Sequence, residues 1–393
     1  MKVLALEPWF GGSHRKFLQQ WRTRTRHELE LVGLPPRRWK WRMRSGAWEL
    51  ARAIEERAIE RPDALLVSGY VDLPALFGEL PAQWAGLPSL LYLHENQLTY
   101  PSNPEHGEQR PDTHFGYTNI QSCVRADRVL FNSDFQRREF GSAAAELLGA
   151  LPRPNPQAEF EASLRSSAVI APGIDLDAMP AGQGGDAGEP LRVLFSHRWE
   201  HDKDPVGFLE SVRAALDEGA RLELVLLGER FEQTPPGVEQ LLAHLRGYIR
   251  HSGFVERASD YASLIGGCDL VVCTARHEFF GLAVAEAMAA GCSPLLPERL
   301  SYPELLPAAL HAEGLYRSPA EFVRRLIDHA SNAACLRAPA RREKMREVTL
   351  PWSADATARA LDAACDELAG RTRETARFRR RKESGERTAQ PGS

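Results

Sequence analysis

Nowhere does this 393-residue chain string together about eighteen apolar residues, so it offers no candidate for a membrane-spanning helix. Cysteine is sparse. The six, Cys123, Cys268, Cys273, Cys292, Cys335 and Cys365, are scattered through mostly apolar segments, with neither a CxxC pair nor the His/Cys spacing of a zinc site. Reduced thiols in a cytoplasmic protein are expected. The chain enters a strand pattern at once with Met1-Lys-Val-Leu-Ala-Leu6, so no secretory leader is expected. His94-Glu95 does not complete the HExxH of a zinc peptidase, because Leu98 stands where the second histidine would be. In the loops that follow strands, no Asp-x-Asp pair is read as a chelator of Mg2+ on a diphosphate, so no metal and no other cofactor is expected.

What charge there is lies unevenly. The net value is only -4, yet residues 15–44 hold ten Lys/Arg against two acidic residues, and the tail from Gly370 holds eight against three. Two basic segments on a mildly acidic protein point to an anionic partner.

A hydrophobic fraction of 43% over this length suits two domains of ordinary size. Short apolar strand patterns at 3–6, 29–32, 64–67, 89–93 and 129–131 alternate with helical patterns such as 47–59. A second series follows at 192–195, 223–227, 269–273 and 292–296, with helical patterns at 206–216 and 320–330 between. Alternation of this kind predicts parallel sheets covered by helices on both faces. The fold class is therefore α/β, two doubly wound Rossmann-like domains facing across a cleft, which is the GT-B architecture. The expected boundaries are 1–175 for an N-terminal domain, 176–190 for a Gly/Pro-rich linker and 191–352 for a C-terminal domain. A terminal helix over 353–370 is expected to return to the first domain, and 371–393 to be a basic disordered tail.

Four motifs fall where such sheets bind ligands, at strand carboxyl ends. In Glu278-Phe-Phe-Gly-Leu-Ala-Val-Ala-Glu286 two carboxylates eight positions apart bracket a glycine and the start of an apolar helix. One carboxylate can meet a sugar hydroxyl and the other a ribose diol, while amides near Phe280, Gly281 and Leu282 face a pyrophosphate. The spacing alone suits an amphipathic helix with two solvated glutamates equally well. After the strand at 192–195 come Arg198 and Lys203, a fork donor and a point charge able to neutralise a diphosphate leaving group, or to pair with Glu200, Asp202 and Asp204 on a surface. His94, with Glu95, Asn96 and Gln97, is too polar a run for a core, and its imidazole can bind a sugar hydroxyl or orient an acceptor. Gly11 and Gly12 allow close backbone approach after the first strand, with Ser13 as a helix cap and His14 beside it. Separately, Arg38, Lys40, Arg42 and Arg44 interleave with Trp39 and Trp41, a pattern suited to phosphates and unpaired bases, or to a solvated loop with buried indoles.

Jointly, the Glu278/Glu286 spacing, Arg198 with Lys203 and the Gly11-Gly12 turn resemble the retaining group 1 GT-B glycosyltransferases across nearly all of residues 1–370. A narrower resemblance is carried by Glu7-Pro-Trp-Phe-Gly-Gly-Ser-His-Arg-Lys-Phe17, Trp41-Arg-Met-Arg44, Tyr92-Leu-His-Glu-Asn-Gln-Leu-Thr-Tyr-Pro101, Phe131-Asn-Ser133 and His197-Arg-Trp-Glu-His-Asp-Lys203. These look like the tRNA-queuosine mannosyltransferase family. The resemblance implies transfer of mannose from GDP-mannose, with retention and without metal, to the cyclopentenediol of queuosine in the tRNA(Asp) anticodon loop. It implies that Arg198 and Lys203 grip the diphosphate, Glu278 the mannosyl hydroxyls and Glu286 the ribose, with His94 beside the anomeric carbon. Gly11, Gly12, Ser13, His14 and Asn96 would border the acceptor. The departing diphosphate is expected to take the acceptor's proton.

Two other readings stand beside it. A group 1 transferase for a lipid, polysaccharide or small metabolite would set residues 15–44 against an anionic membrane, but residues 22–26 lack a broad apolar face. A non-catalytic RNA-binding protein on this scaffold would have no use for Arg198, Lys203, Glu278 and Glu286 together.

Overall fold

The computed structural model describes residues 1–101, 113–228 and 235–383, with the backbone alone for 371–383. Six strands form the first sheet: β1 (Lys2–Glu7), β2 (Glu28–Gly33), β3 (Ala64–Ser68), β4 (Ser89–Leu93), β5 (Arg128–Phe131) and β6 (Ala168–Val169). They run parallel in the order β2-β1-β3-β4-β5-β6. Six more form the second: β7 (Leu191–Ser196), β8 (Leu222–Leu227), β9 (Ile249–Gly253), β10 (Leu270–Val272), β11 (Ser293–Pro297) and β12 (Leu315–Tyr316). Their order is β12-β11-β10-β7-β8-β9, again all parallel. Every residue of β3, β4, β7 and β11 is buried, because helices cover both faces, and so these strands are mostly apolar, with Arg192 of β7 the one charged residue among them. The edge strand β9, Ile-Arg-His-Ser-Gly, carries no apolar run, and β6 and β12 are two residues each. These three left no pattern to find.

Each sheet reverses its winding beside its first strand, between β1 and β3 and between β7 and β10, and the carboxyl ends there form ligand crevices. The two crevices face one another. Ser133 Oγ donates to the Phe279 carbonyl at 2.5 Å, and Glu304 accepts from Asp134 N and Arg138, each at 2.9 Å.

Helix α1 (Gly12–Arg24) follows β1. The next, α2 (Trp39–Glu56), starts well before the 47–59 pattern, so the Trp39-to-Arg44 run forms its first turns rather than a loop. Among the described residues no helix is long and apolar enough to cross a membrane.

The chain passes between the domains twice, and the crossings lie together. Ile174 N donates to Trp352 O at 2.8 Å and Ala354 N to Ile174 O at 2.7 Å. Beyond the second crossing, Ala358, Leu361, Ala364, Cys365 and Leu368 make a helical stripe that buries itself on Phe17, Leu18 and Trp21 of α1. The expected return of this helix to the first domain is what the packing shows. Its length corrects the expected tail, however: the helix runs Ala354–Glu383. Past Gly370 the sequence holds no further glycine or proline until Gly385 and is rich in Arg and Glu, good helix formers, so the backbone has no reason to stop. Residues 384–393 lie outside the described part.

One buried carboxylate clamps this helix down. Asp362 accepts from Trp21 Nε1 at 2.9 Å, Thr25 Oγ1 at 2.5 Å and Arg26 N at 3.0 Å. Asp362→Ala leaves these donors unpaired and is expected to cost about 2–4 kcal/mol. Urea unfolding checks it; a loss below about 1 kcal/mol would contradict the clamp.

Candidate active site in the interdomain cleft

The second domain's wall is built on one buried ammonium. After β7 the chain makes a single tight turn at His201–Lys203, which aims Lys203 inward. Its Nζ donates to the His277 carbonyl at 2.8 Å and pairs with Asp202 at 3.1 Å and Glu278 at 3.4 Å. Backbone bonds from Arg276 N (2.7 Å) and His277 N (3.3 Å) to Asp202 O, and from Thr274 Oγ1 to the Lys203 and Asp204 carbonyls, stitch the β7 loop to the β10 loop. Burial alone would push the Glu278 carboxyl up. The Lys203 charge overrides it, helped by His197 and the Phe280 amide, and holds the group near pKa 2. Lys203 is held protonated in return, against its burial, by Glu278 and Asp202. Two histidines go the other way: burial, then the Lys203 charge, lowers both His197 and His277 to about 4. Their Nε2 atoms are buried and have no hydrogen-bond partner among the described residues.

Gly281 then turns the chain into the helix Leu282–Ala289 with φ +96°, a conformation that favours glycine; a Cβ there would stand 3.0 Å from Leu305 Cδ1. The N–H groups of the first turn have no partner within the helix and form its positive end. Glu286, inside this helix, is nearly buried, held by Tyr261 Oη at 3.1 Å and, across the cleft, by Lys16 of α1. The reading of two solvated glutamates therefore fails for both. Arg198 is half-exposed, paired with Glu200 at 3.2 Å and hydrogen-bonded to Tyr100 of the first domain. The Tyr100 ring lies 4.9 Å from that of His277.

The first domain's wall treats charge differently. Glu7, the last residue of β1, is fully buried and accepts from Trp9 N (2.8 Å), Ser68 Oγ (3.1 Å) and His14 Nδ1 (3.0 Å). The His14 ring stacks on His94 with centroids 3.9 Å apart. Burial, and then His14, hold the His94 pKa well below its ordinary value, so His94 is neutral. Ligand atoms of Glu7, His14 and His94 fall within 4.8 Å of one another; both Glu7 oxygens accept hydrogen bonds, and His94 joins His14 by ring stacking. Trp39 packs on Tyr70 and Phe115 and ties the start of α2 to this wall. Trp41 is 58% exposed, and Trp48, two turns on along the same face, 56%. Lys40 and Arg44 are exposed beside them.

Several expected residues are placed otherwise. Ser13 is not the cap of α1: the helix starts at Gly12, with φ +50°, and Gly11 caps it without a side-chain bond. Gly11 is required for another reason, since a Cβ would meet Pro36 Cγ at 2.4 Å. Asn96 is buried and accepts from Leu98 N and Thr99 N, so its side chain closes its own turn rather than facing an acceptor. Arg42 points inward to Glu49 and the Pro35 carbonyl. Phe280 packs edge-on against Trp352, leaving only its amide to the site. An Asp-x-Asp pair does follow β7, contrary to expectation: Asp202 and Asp204 flank Lys203. Asp202 pairs with Lys203, and Asp204 caps the following helix through Gly207 N and pairs with Arg276.

Glu7, Lys16, Tyr100, His197, Tyr261 and His277 had not been singled out. Glu7 ends β1 and His197 follows β7, the strands beside which the two sheets reverse, and a residue at such a strand end is a candidate for the crevice. The others reach the site only through long-range packing.

Residues 2–174 match the family model described as tRNA-queuosine alpha-mannosyltransferase N-terminal, and residues 182–312 match glycosyl transferases group 1. The tRNA-queuosine alpha-mannosyltransferase of Drosophila melanogaster is 30% identical over 335 residues, 83% of this chain and 86% of that protein. The GDP-mannose:cellobiosyl-diphosphopolyprenol alpha-mannosyltransferase of Xanthomonas campestris is 31% identical over 133 residues, a third of each chain (33% and 34%). Among solved structures, the sucrose-phosphate synthase of Thermosynechococcus elongatus superposes with a TM-score of 0.69 at 14% identity, covering 94% of this chain and 99% of that one. Anabaena HepE in complex with UDP gives 0.65 at 15%, covering 93% and 100%. Both show the GT-B fold.

Lys203→Met removes the cation facing the buried Asp202 and the partly buried Glu278, and a loss of about 3–5 kcal/mol is expected at pH 7.5. Without the ammonium, burial raises the Glu278 carboxyl above its unfolded value, and protonation then relieves the folded state. The deficit should shrink as pH falls toward 5. Unfolding at both pH values tests this; an equal deficit at each would contradict the pairing.

Proposed function

The chain belongs to the tRNA-queuosine alpha-mannosyltransferase family and is a hexosyltransferase of GT-B fold, and from that premise we propose that it moves mannose from GDP-mannose to the cyclopentenediol of queuosine in the anticodon loop of tRNA(Asp). The observation that carries this reading is the ionised Glu278, held by Lys203 and opposed across the cleft by neutral His94. An anionic acceptor of hydrogen bonds on one side and a neutral imidazole on the other suit the hydroxyls of a sugar whose anomeric carbon reacts between them.

In the proposed complex Arg198 and the amides of Phe280, Gly281 and Leu282 face the diphosphate, with the unpartnered Nε2 atoms of His197 and His277 as further groups. Lys203 acts from behind, fixing Glu278 while lending positive charge to the departing diphosphate. Glu286 turns from Lys16 to the ribose diol. Transfer retains the anomeric configuration and needs no metal, since fixed cations and helix amides supply the charge. On the acceptor side Gly11, Gly12 and His14 border the reacting hydroxyl. Lys40, Trp41 and Arg44, joined by Trp48, take the RNA: cations for phosphates and exposed indoles for unpaired bases. A tRNA substrate places the protein in the cytoplasm.

The test incubates purified protein and labelled GDP-mannose with tRNA that carries or lacks queuosine. Label on the queuosine tRNA alone is expected, at a rate indifferent to EDTA; label on both tRNAs or neither would overturn the reading. Trp41→Ala combined with Trp48→Ala is expected to weaken tRNA binding by about tenfold or more, while donor binding, read by calorimetry, stays unchanged. An equal loss in both would remove the indoles from the RNA surface.

A further inference from the structure

We propose that Glu7 and His14 form a paired base that holds the acceptor hydroxyl and takes up its proton during transfer. The inference rests on the mannosyltransferase reading and puts the acceptor's proton on the protein in place of the departing diphosphate that the sequence led us to expect.

The argument begins with Glu7. A carboxylate with no exposed surface is costly unless its oxygens are satisfied, and Glu7 is satisfied on both: Trp9 N and Ser68 Oγ donate to one oxygen and His14 Nδ1 lies 3.0 Å from the other. Because the carboxylate only accepts, Nδ1 is the hydrogen-bearing nitrogen of neutral His14. That leaves a lone pair on Nε2. The arrangement is the orienting half of an acid/base dyad: a buried carboxylate fixes the tautomer and stabilises the imidazolium that forms when Nε2 takes a proton.

Position agrees with role. Glu7 closes β1, one of the two strands between which the sheet reverses, and His14 sits in the first turn of α1, so the pair lies at that crevice. His94 stacks on His14, and the two rings are driven apart in basicity. Burial resists charging of His14, but the Glu7 carboxylate, by charge and hydrogen bond, with Glu95 behind it, raises its pKa, whereas His94 is lowered by burial and by His14 itself. Neighbouring groups pushed in opposite directions mark an assignment of roles: His14 the base, His94 the neutral donor to the sugar. The other ionisable groups about His14 are Tyr70, whose ring lies 5.6 Å away and whose hydroxyl donates to Glu95, and Arg15 and Lys16 on its own helix, of which Lys16 reaches Glu286.

In the step, the acceptor O–H bond breaks as the bond from that oxygen to the anomeric carbon forms and the bond from that carbon to the diphosphate oxygen breaks. The proton rests on His14 Nε2 opposite the Glu7 charge and passes to water when the site opens. No further reactant is needed.

Glu7→Gln keeps the shape and removes the charge. At pH 7 its turnover is expected to fall by about a hundredfold or more with the GDP-mannose KM nearly unchanged, and the acid limb of its pH–rate profile to move to lower pH, because His14 loses the carboxylate that raised it. Ser68→Ala, which removes a different Glu7 bond, controls for stability and should leave the limb in place. In the wild-type protein the limb must coincide with the titration of His14 read by imidazole NMR, assigned with His14→Gln. A limb that does not track His14, or that stays put in Glu7→Gln, overturns the dyad. If wild-type protein leaves queuosine tRNA unlabelled, the acceptor reading falls and the same limb is read on hydrolysis of GDP-mannose by water, where its failure to shift in Glu7→Gln overturns the dyad by itself.

Discussion

A single ammonium group, Lys203 Nζ, sets the electrostatics of one wall of the cleft and holds that wall together. It is buried against a carbonyl and two carboxylates that belong to two different strand-end loops. Taking a cation out of water costs several kcal/mol, and such a group persists only when its partners are close and fixed. Here the fixing runs both ways. The pair keeps Glu278 ionised despite burial, and the same charge adds to the burial that lowers His197 and His277. It also explains why the β7 and β10 loops stay in register, although 74 positions separate Lys203 from His277.

The facing wall is built on the opposite sign. Its buried anion, Glu7, is answered by hydrogen-bond donors and an imidazole and not by a fixed cation, which leaves a proton that can come and go. A sugar donor needs charges that do not change during reaction; an acceptor hydroxyl needs a group that does. The division of the molecule into two sheets separates these requirements in space, so that each can be met without disturbing the other.

Contacts between the walls use the same residues that the chemistry requires. Lys16 holds Glu286, Tyr100 reaches Arg198 and His277, and Ser133 meets the Phe279 carbonyl beside Glu278.

Much of this was legible in the chain. Strands buried on both faces leave apolar runs, and glycines and prolines interrupt them, so both sheets and their parallel sense follow from pattern. The Glu278/Glu286 spacing and the cations after β7 mark the donor wall for the same reason: strand-end loops must carry their chemistry in consecutive residues. Edge strands such as β9, with no apolar face to show, do not. Nor do side chains whose meaning depends on direction. Asn96, Arg42 and Ser13 have the right types in the right loop, yet local backbone turns two of them inward and leaves the third outside the cap, while Trp39 and Trp41, two residues apart, point to opposite environments because the run is helical. By itself the sequence determined the architecture and the local motifs, since these are written in short-range periodicity. Only the tertiary structure decided that Lys203 serves Glu278, that Glu286 is claimed by Lys16 and that Glu7 stands behind His14, because each of those pairings depends on where packed strands and helices bring charges out of water.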